Sequence, residues 1–248
     1  MPVSTPARTA LDVFSALALP GTVRLGMVGE PVRRLATGLS ALDGVLGGGW
    51  PRGRLSEITG TVTSGKTALL WCALATATQR GELAALIDLP DAFHPTQGVN
   101  AGIELSRLLW VRPPSVAIGL RCAELILEAG GFGLVALDLG TPPARHLRTS
   151  MWPRLARAAE RAGAAAILVT DRRVAGSCAA MSLAVAARTR HWSRGAWPLF
   201  DGLTLQLAVA RNTLSAPGQS LAIRARGSCS FAESNCAPTI TSHQHDAR

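Results

Sequence analysis

The stretch R54-L-S-E-I-T-G60-T-V-T-S-G65-K66-T67 passes from a short strand-like run into a glycine-bounded loop that ends on a lysine and a threonine. LSEIT reads as a strand, residues 60–67 fit the spacing GxxxxGK[ST], and ALLWCALATA after them reads as a helix. In that setting Gly60, Ser64 and Gly65 belong to a backbone curl whose N–H groups face a β-phosphate, and the helix amino end adds positive potential. Lys66 is placed to bridge β- and γ-phosphates, and the Thr67 hydroxyl to ligate Mg²⁺. The stretch therefore predicts a nucleotide site, with ATP and magnesium as its cofactors.

Lys66 is the single lysine of the chain, against 24 arginines. Arginine stands at every other basic position, yet its broad planar fork does not enter the nest that a compact ammonium occupies. Retention of lysine at this position alone argues that phosphate geometry matters to the chain.

Outward from the loop, helical and apolar patterns alternate. The sequence predicts helix 66–79, strand 83–89, a helix near 98–105, strand 107–111, helix 116–129, strand 133–138, helix 150–162 and strand 164–170. Strands that are apolar throughout and alternate with helices indicate an α/β fold, a mostly parallel central sheet flanked by helices. LTLQLAVARN (203–212) and SLAIRARG (220–227) alternate around APGQ as an antiparallel edge hairpin. Upstream, TGLSALDGVLGGGWPRGRLSEITG predicts a helix near 39–46, a triple-glycine turn and strand 54–59. RTALDVFSALAL (8–19) reads as an amphipathic helix ended by Pro20-Gly21, and VRLGM (23–27) as a short strand. These patterns divide the chain into an amino-terminal helix and docking strand (1–34), a core (35–227) and a polar, flexible tail (228–248).

GLVALD (133–138) is an apolar run that ends on Asp138, where a carboxylate can share the Mg²⁺ shell with Thr67. Five dispersed cysteines, Cys72, Cys122, Cys178, Cys229 and Cys236, contain no CxxC pair and suit reduced thiols in the cytoplasm. No run of eighteen apolar residues occurs, so a soluble protein with no membrane partner is expected. The formal charge of +9 favours polyanions. Residues 141–200 hold ten arginines against Glu160 and Asp171, so the excess is concentrated in one quarter of the chain.

Across about residues 10–227 the chain resembles the bacterial RecA recombinase family. The resemblance is carried by TGLSALDGVLGGGWPRGRLSEITGTVTSGKT, QRGELAALIDLPDAFHP, FGLVALDLG and the hairpin VARNTLSAPGQSLAIRARG. It implies a RecA-like P-loop NTPase core. Departures from the family pattern are equally specific. The family's water-activating glutamate falls at Pro90, leaving Asp88 and Asp91 as the candidate catalytic substitutes. The γ-phosphate sensor glutamine falls at Asp171, beside Arg172. The chain has no tyrosine to stack on adenine, and of the basic pair that reaches a neighbouring protomer only Arg211 is matched, the second position being Thr213. No stretch matches the family's carboxyl-terminal domain. The resemblance thus implies weak or absent hydrolysis, as in the RecA-like accessory proteins of inducible mutagenesis operons.

Arg154, Arg157 and Arg161 recur at helical spacing and predict one basic stripe, which is equally the pattern of a solvated helix face. Arg172, Arg173, Arg188, Arg190 and Arg194 follow, interleaved with Trp192 and Trp197. Arginines for phosphates and aromatic faces for bases suit sequence-tolerant single-stranded DNA, although the tryptophans are equally plausible core anchors. His146 and His191 have no metal or catalytic spacing and read as surface residues.

Two functions fit these features. One is a cytoplasmic, nucleoid-associated regulator of the DNA-damage response that binds single-stranded DNA and, by the resemblance, RecA, a translesion polymerase or its polymerase-like accessory subunit. The other is an active DNA-dependent ATPase or recombinase that uses Asp88 or Asp91.

Overall fold

A computed structural model describes residues 32–142, 147, 149–194, 197, 199–214, 218–226 and 230–231. The helix expected at 8–19, the strand expected at 23–27 and all but two residues of the expected tail lie outside them.

The described chain opens with β1 (Arg34–Leu35), α1 (Ser40–Leu46) and β2 (Trp50–Pro51), and β1 and β2 pair antiparallel as a small sheet. Between α1 and β2 the chain turns on Gly47, Gly48 and Gly49, all at positive φ. At Gly49 a side chain would run into the backbone of Leu35 and Ala36, so glycine there is a steric requirement.

The main elements follow as β3 (Arg54–Thr59), α2 (Lys66–Gln79), β4 (Leu83–Asp88), α3 (Pro95–Asn100), β5 (Leu108–Val111), α4 (Val116–Ala129), β6 (Phe132–Asp138), α5 (Met151–Ala162) and β7 (Ala165–Thr170). They are completed by β8 (Ala179–Trp192), β9 (Phe200–Asn212), β10 (Ser220–Arg226) and β11 (Ser230–Phe231). The main sheet runs β11-β10-β9-β8-β3-β7-β6-β4-β5. Pairings from β5 across to β8 are parallel, and those from β8 to β11 antiparallel.

Apolar side chains on both faces of the parallel strands explain the layering. One face buries Ile58, Leu134, Ile167 and Leu183 against Leu69, Leu70, Ala73 and Leu74 of α2 and Leu42 and Leu46 of α1. The other buries Leu55, Ile87, Val135 and Leu168 against Leu120 and Leu127 of α4 and Trp152 and Leu155 of α5. Strands covered on both sides have no polar face, hence the continuous apolar runs in the sequence.

Three places differ from the sequence reading. The helix placed near 98–105 begins at Pro95, whose fixed φ suits a first helical turn, and is stopped by Gly102 at φ +87; a 3₁₀ turn, Leu105–Arg107, follows. Residues 179–192, to which the sequence reading assigned no element, form a 14-residue strand paired with β3 over Ala179–Ala184 and with β9 over Met181–Trp192. Its alanine-rich run AAMSLAVAA has weak strand propensity, so pairing on both sides imposes the conformation. The expected tail opens with β11, paired to Ala225 and Arg226.

The link from β7 to β8 is short. The two strands flank β3 in parallel, so residues 171–178 recross the sheet in eight residues with only a 3₁₀ turn, Gly176–Cys178. Parallel crossovers usually take a dozen residues or more. Glu57, at 0% exposure on β3, ties this strap down: Oε1 accepts from the Val174 and Ala175 N–H groups (2.6 and 3.1 Å) and Oε2 from the Ser182 hydroxyl (3.3 Å).

Candidate functional site

β3 ends at Thr59 and the chain curls through Thr63, at φ +66, and Gly65, at φ +91, into the first turn of α2. No side chain caps that helix, leaving its first N–H groups free to face a ligand. A side chain at Gly60 would collide with the Ser64 hydroxyl and the Val185 carbonyl of β8, and Gly65 lies against the Leu205 methyls of β9. Ser64 is 1% exposed and its Oγ has no hydrogen-bond partner. Burying a hydroxyl unpaired is costly, and a phosphate oxygen would satisfy it.

Lys66 is buried, and its ammonium donates to the carbonyls of Gly60 (2.9 Å) and Thr170 (3.2 Å) at the ends of β3 and β7. Asp138, closing β6 two strands away, borders the same cavity with Thr67. Its Oδ1 accepts from the Gly140 N–H at 2.8 Å. Burial holds the Asp138 carboxyl above the usual carboxylate range; the Gly140 N–H pulls it back, the Asp88 charge pushes it further up, and Lys66 opposes that.

One cavity of about 890 Å³ joins these parts. Its loop end is lined by Val62 to Thr67 and Asp138, and its far end by Arg190, Trp192, Phe200 and Leu203 of the β8–β9 ribbon. A hydroxyl and one carboxylate are too few ligands for a magnesium ion, and among the described residues no group of three or more His, Cys, Asp or Glu could hold a metal. Phosphate oxygens would complete the shell. The unpaired Ser64 hydroxyl, the uncapped helix and this incomplete ligand set together fit a magnesium-bound nucleotide.

The raised pKa of Asp138 carries its own prediction. The folded state holds the proton more tightly than the unfolded chain, so ionisation removes stability as pH rises from the usual carboxylate range through the raised value. Above that window the penalty is complete. Asp138→Asn keeps the acceptor for Gly140 and should raise the ligand-free Tm at neutral pH. The gain should vanish below the usual carboxylate range, and nucleotide binding should lose its magnesium dependence. Calorimetric scans across pH check the first effect and titrations with and without Mg²⁺ the second.

Other expected residues are placed differently. Asp88 is 2% exposed, with Oδ1 accepting from Ala92 N–H (3.1 Å) and Oδ2 from Phe93 N–H (2.9 Å) and the Trp110 indole (3.2 Å). It holds the turn after β4 and does not border the cavity. Asp91 is exposed at φ +52, faces Arg112 at 3.5 Å, and does not border it either. Pro90 and Ala92 do, and Asp138 is the one carboxylate among the described lining residues. Asp171 is held by Arg172, whose NH1 reaches both carboxylate oxygens (3.0 and 2.9 Å). Arg211 donates Nε to the Ala179 carbonyl and the Thr213 hydroxyl donates to that of Ala180.

The basic stripe on α5 is partly neutralised from α4: Arg154 meets Glu124 at 2.9 Å and Arg161 meets Glu128 at 3.8 Å. Among the described residues Arg157, Arg173, Arg188, Arg190 and Arg194 are exposed with no carboxylate within 4 Å. Arg188 sits at a register break between Ala187 and Thr189 and reaches Gln206, whereas Arg190 and Trp192 line the cavity. The break divides residues that the sequence interleaved. Trp197 is 86% exposed and is no core anchor. His191 is half-buried, 2.7 Å from the Thr204 hydroxyl, which corrects its reading as a surface residue. Phe200 and Leu203 were not singled out from sequence; their signal was their place at the start of the strand opposite Trp192.

Comparison with known proteins agrees with this architecture. The chain is 41% identical over 108 residues to Protein RecA of Chlorobaculum parvum, a match covering 43% of this chain and 31% of that protein. It is 33% identical over 128 residues to the DNA repair protein recA homolog 1, chloroplastic, of Arabidopsis thaliana, covering 51% and 29%. The chain thus spans less than a third of the length of these relatives. A crystal structure of the RadB recombinase superposes with a TM-score of 0.63 at 19% identity, covering 79% of this chain and 98% of that one, and establishes likeness of fold. Residues 20–144 match the RecA N-terminal domain model, half of the chain, and with the loop, strand order and carboxylate in place the chain belongs to the RecA family.

Proposed function

We propose that the chain is a nucleotide-binding accessory protein of the DNA-damage response, of the ImuA kind, with weak or absent ATP hydrolysis. In this role it binds single-stranded DNA together with RecA, a translesion polymerase or its polymerase-like accessory subunit. One observation carries the reading: the glycine curl, Lys66, Thr67 and Asp138 border one cavity, and among the described lining residues Asp138 is the one carboxylate that could activate water. Asp88 is committed to the 91–93 turn, and proline stands where a base would be needed. The exposed, unneutralised arginines support contact with a polyanion. Among the described residues no helix is long and apolar enough to cross a membrane. A cytoplasmic, nucleoid-associated location belongs to the same proposal.

Phosphate release by the purified chain, measured with Mg-ATP and single-stranded DNA, tests the reading. Turnover at background level with saturable ATP-analogue binding is expected. DNA-stimulated hydrolysis abolished by Lys66→Ala would instead assign a DNA-dependent ATPase. Binding to an oligonucleotide should weaken steeply with salt, and Arg188→Ala should reduce the log–log slope by about 0.7, one single-strand phosphate. An unchanged slope would place the DNA path elsewhere.

A further inference from the structure

We propose that Trp192 and Phe200 form the base-stacking wall of the nucleotide cavity, so that a nucleotide anchored by its phosphates on the 60–67 loop lays its base against the β8–β9 ribbon. The inference rests on the nucleotide-binding reading of that loop and adds where the base goes. The two side chains are cross-strand partners, with ring centroids 5.7 Å apart and planes at 76°. They are 57% and 48% exposed, an unusual state for paired aromatic rings at a cavity wall, and a stacked base would cover them.

The wall and the phosphate cradle are parts of one construction. β9 packs on the loop itself through Leu205, whose methyls lie against Gly65, and Leu203 continues the same edge towards Phe200. The ribbon therefore holds its aromatic pair at a fixed place relative to Lys66. A cavity of about 890 Å³ lies within the range of clefts that take a whole cofactor. At its far end Arg190 is the one polar side chain among the described lining residues, beside Trp192, Phe200 and Leu203. No carboxylate lies within 4 Å of its guanidinium among the described residues, so it is available to a base face or a phosphate. An apolar aromatic wall with a single donor stacks on any base, so ATP, GTP and CTP should bind with similar affinity.

The purified chain is titrated with Mg-ATP and, separately, with magnesium tripolyphosphate, which has phosphates and no base. Trp192→Ala and Phe200→Ala should each weaken ATP by about ten-fold or more, while tripolyphosphate affinity stays within error and Trp192→Phe restores most of the loss. Unchanged Tm in each variant separates this from misfolding. Equal ATP and tripolyphosphate binding in wild type and variants would overturn the stacking wall and leave the phosphate reading intact. Absence of tripolyphosphate binding in the wild type would overturn both. Loss of oligonucleotide affinity with ATP affinity unchanged would overturn it in favour of a nucleic-acid platform.

Discussion

Lys66→Arg should weaken ATP-analogue binding by about two orders of magnitude while leaving the fold intact. The substitution keeps the charge, so it isolates shape. The Lys66 ammonium sits buried between the carbonyls of Gly60 and Thr170, in a loop where even a methyl at Gly60 would collide with Ser64. A guanidinium is wider and planar, and cannot occupy that place without pushing the loop off its curl. One charge-assisted hydrogen bond to phosphate is worth about 1.5–3 kcal/mol, and the upper part of that range equals two orders of magnitude in affinity. Lys66→Ala should lose as much affinity and also some stability, because the Gly60 carbonyl loses its ammonium donor and the Thr170 carbonyl keeps only the Gly60 N–H at 3.2 Å. Equilibrium titration of both variants with a fluorescent ATP analogue is the measurement. Affinity within three-fold of wild type for Lys66→Arg would show that the loop does not use its lysine on phosphate.

Glu57→Ala should destabilise the chain more than any surface substitution discussed above. Its carboxylate is fully buried and accepts from two backbone N–H groups and one hydroxyl. Removing it strands three donors, those of Ala175 and Ser182 buried and that of Val174 partly so, at about 1–3 kcal/mol for each buried one, a large part of the roughly 5–15 kcal/mol that holds a domain together. Glu57→Gln retains an acceptor for Val174 and Ala175, and its amide can donate to Ser182, so a loss of only about 1–2 kcal/mol is expected. Urea denaturation of the three proteins checks the order wild type, glutamine, alanine. Glutamine and alanine variants of equal stability would show that the strap is held by its apolar contacts alone.

The loop that borders the cavity was legible because its geometry is local: strand, glycine curl, lysine and the start of the helix occupy the 14 residues 54–67, and the α/β layering follows from apolar strands that alternate with helices. What escaped depends on partners far along the chain. Glu124 is 30 residues from Arg154, so the neutralisation of the α5 stripe has no signature in either helix alone. Asp88 and Asp138 both end apolar strands, yet one is consumed by the turn that follows it and the other opens on the cavity. β8 was hidden because alanine carries little strand preference and its two neighbours, β3 and β9, supply the pairing. Once that strand is in place, Trp192 comes to the nucleotide cavity and Arg188 to Gln206, a division that residue spacing could not reveal.

The Lys66 ammonium already has partners on the main chain. With the ammonium claimed by two main-chain oxygens, any incoming anion must displace them, so entry is an exchange of partners. A lone sulfate or orthophosphate would gain little from such a trade. A polyphosphate that simultaneously engages the curled amides, the stranded serine hydroxyl and Thr67 recovers more than it displaces. Small inorganic anions are therefore expected to compete poorly with a triphosphate for this loop.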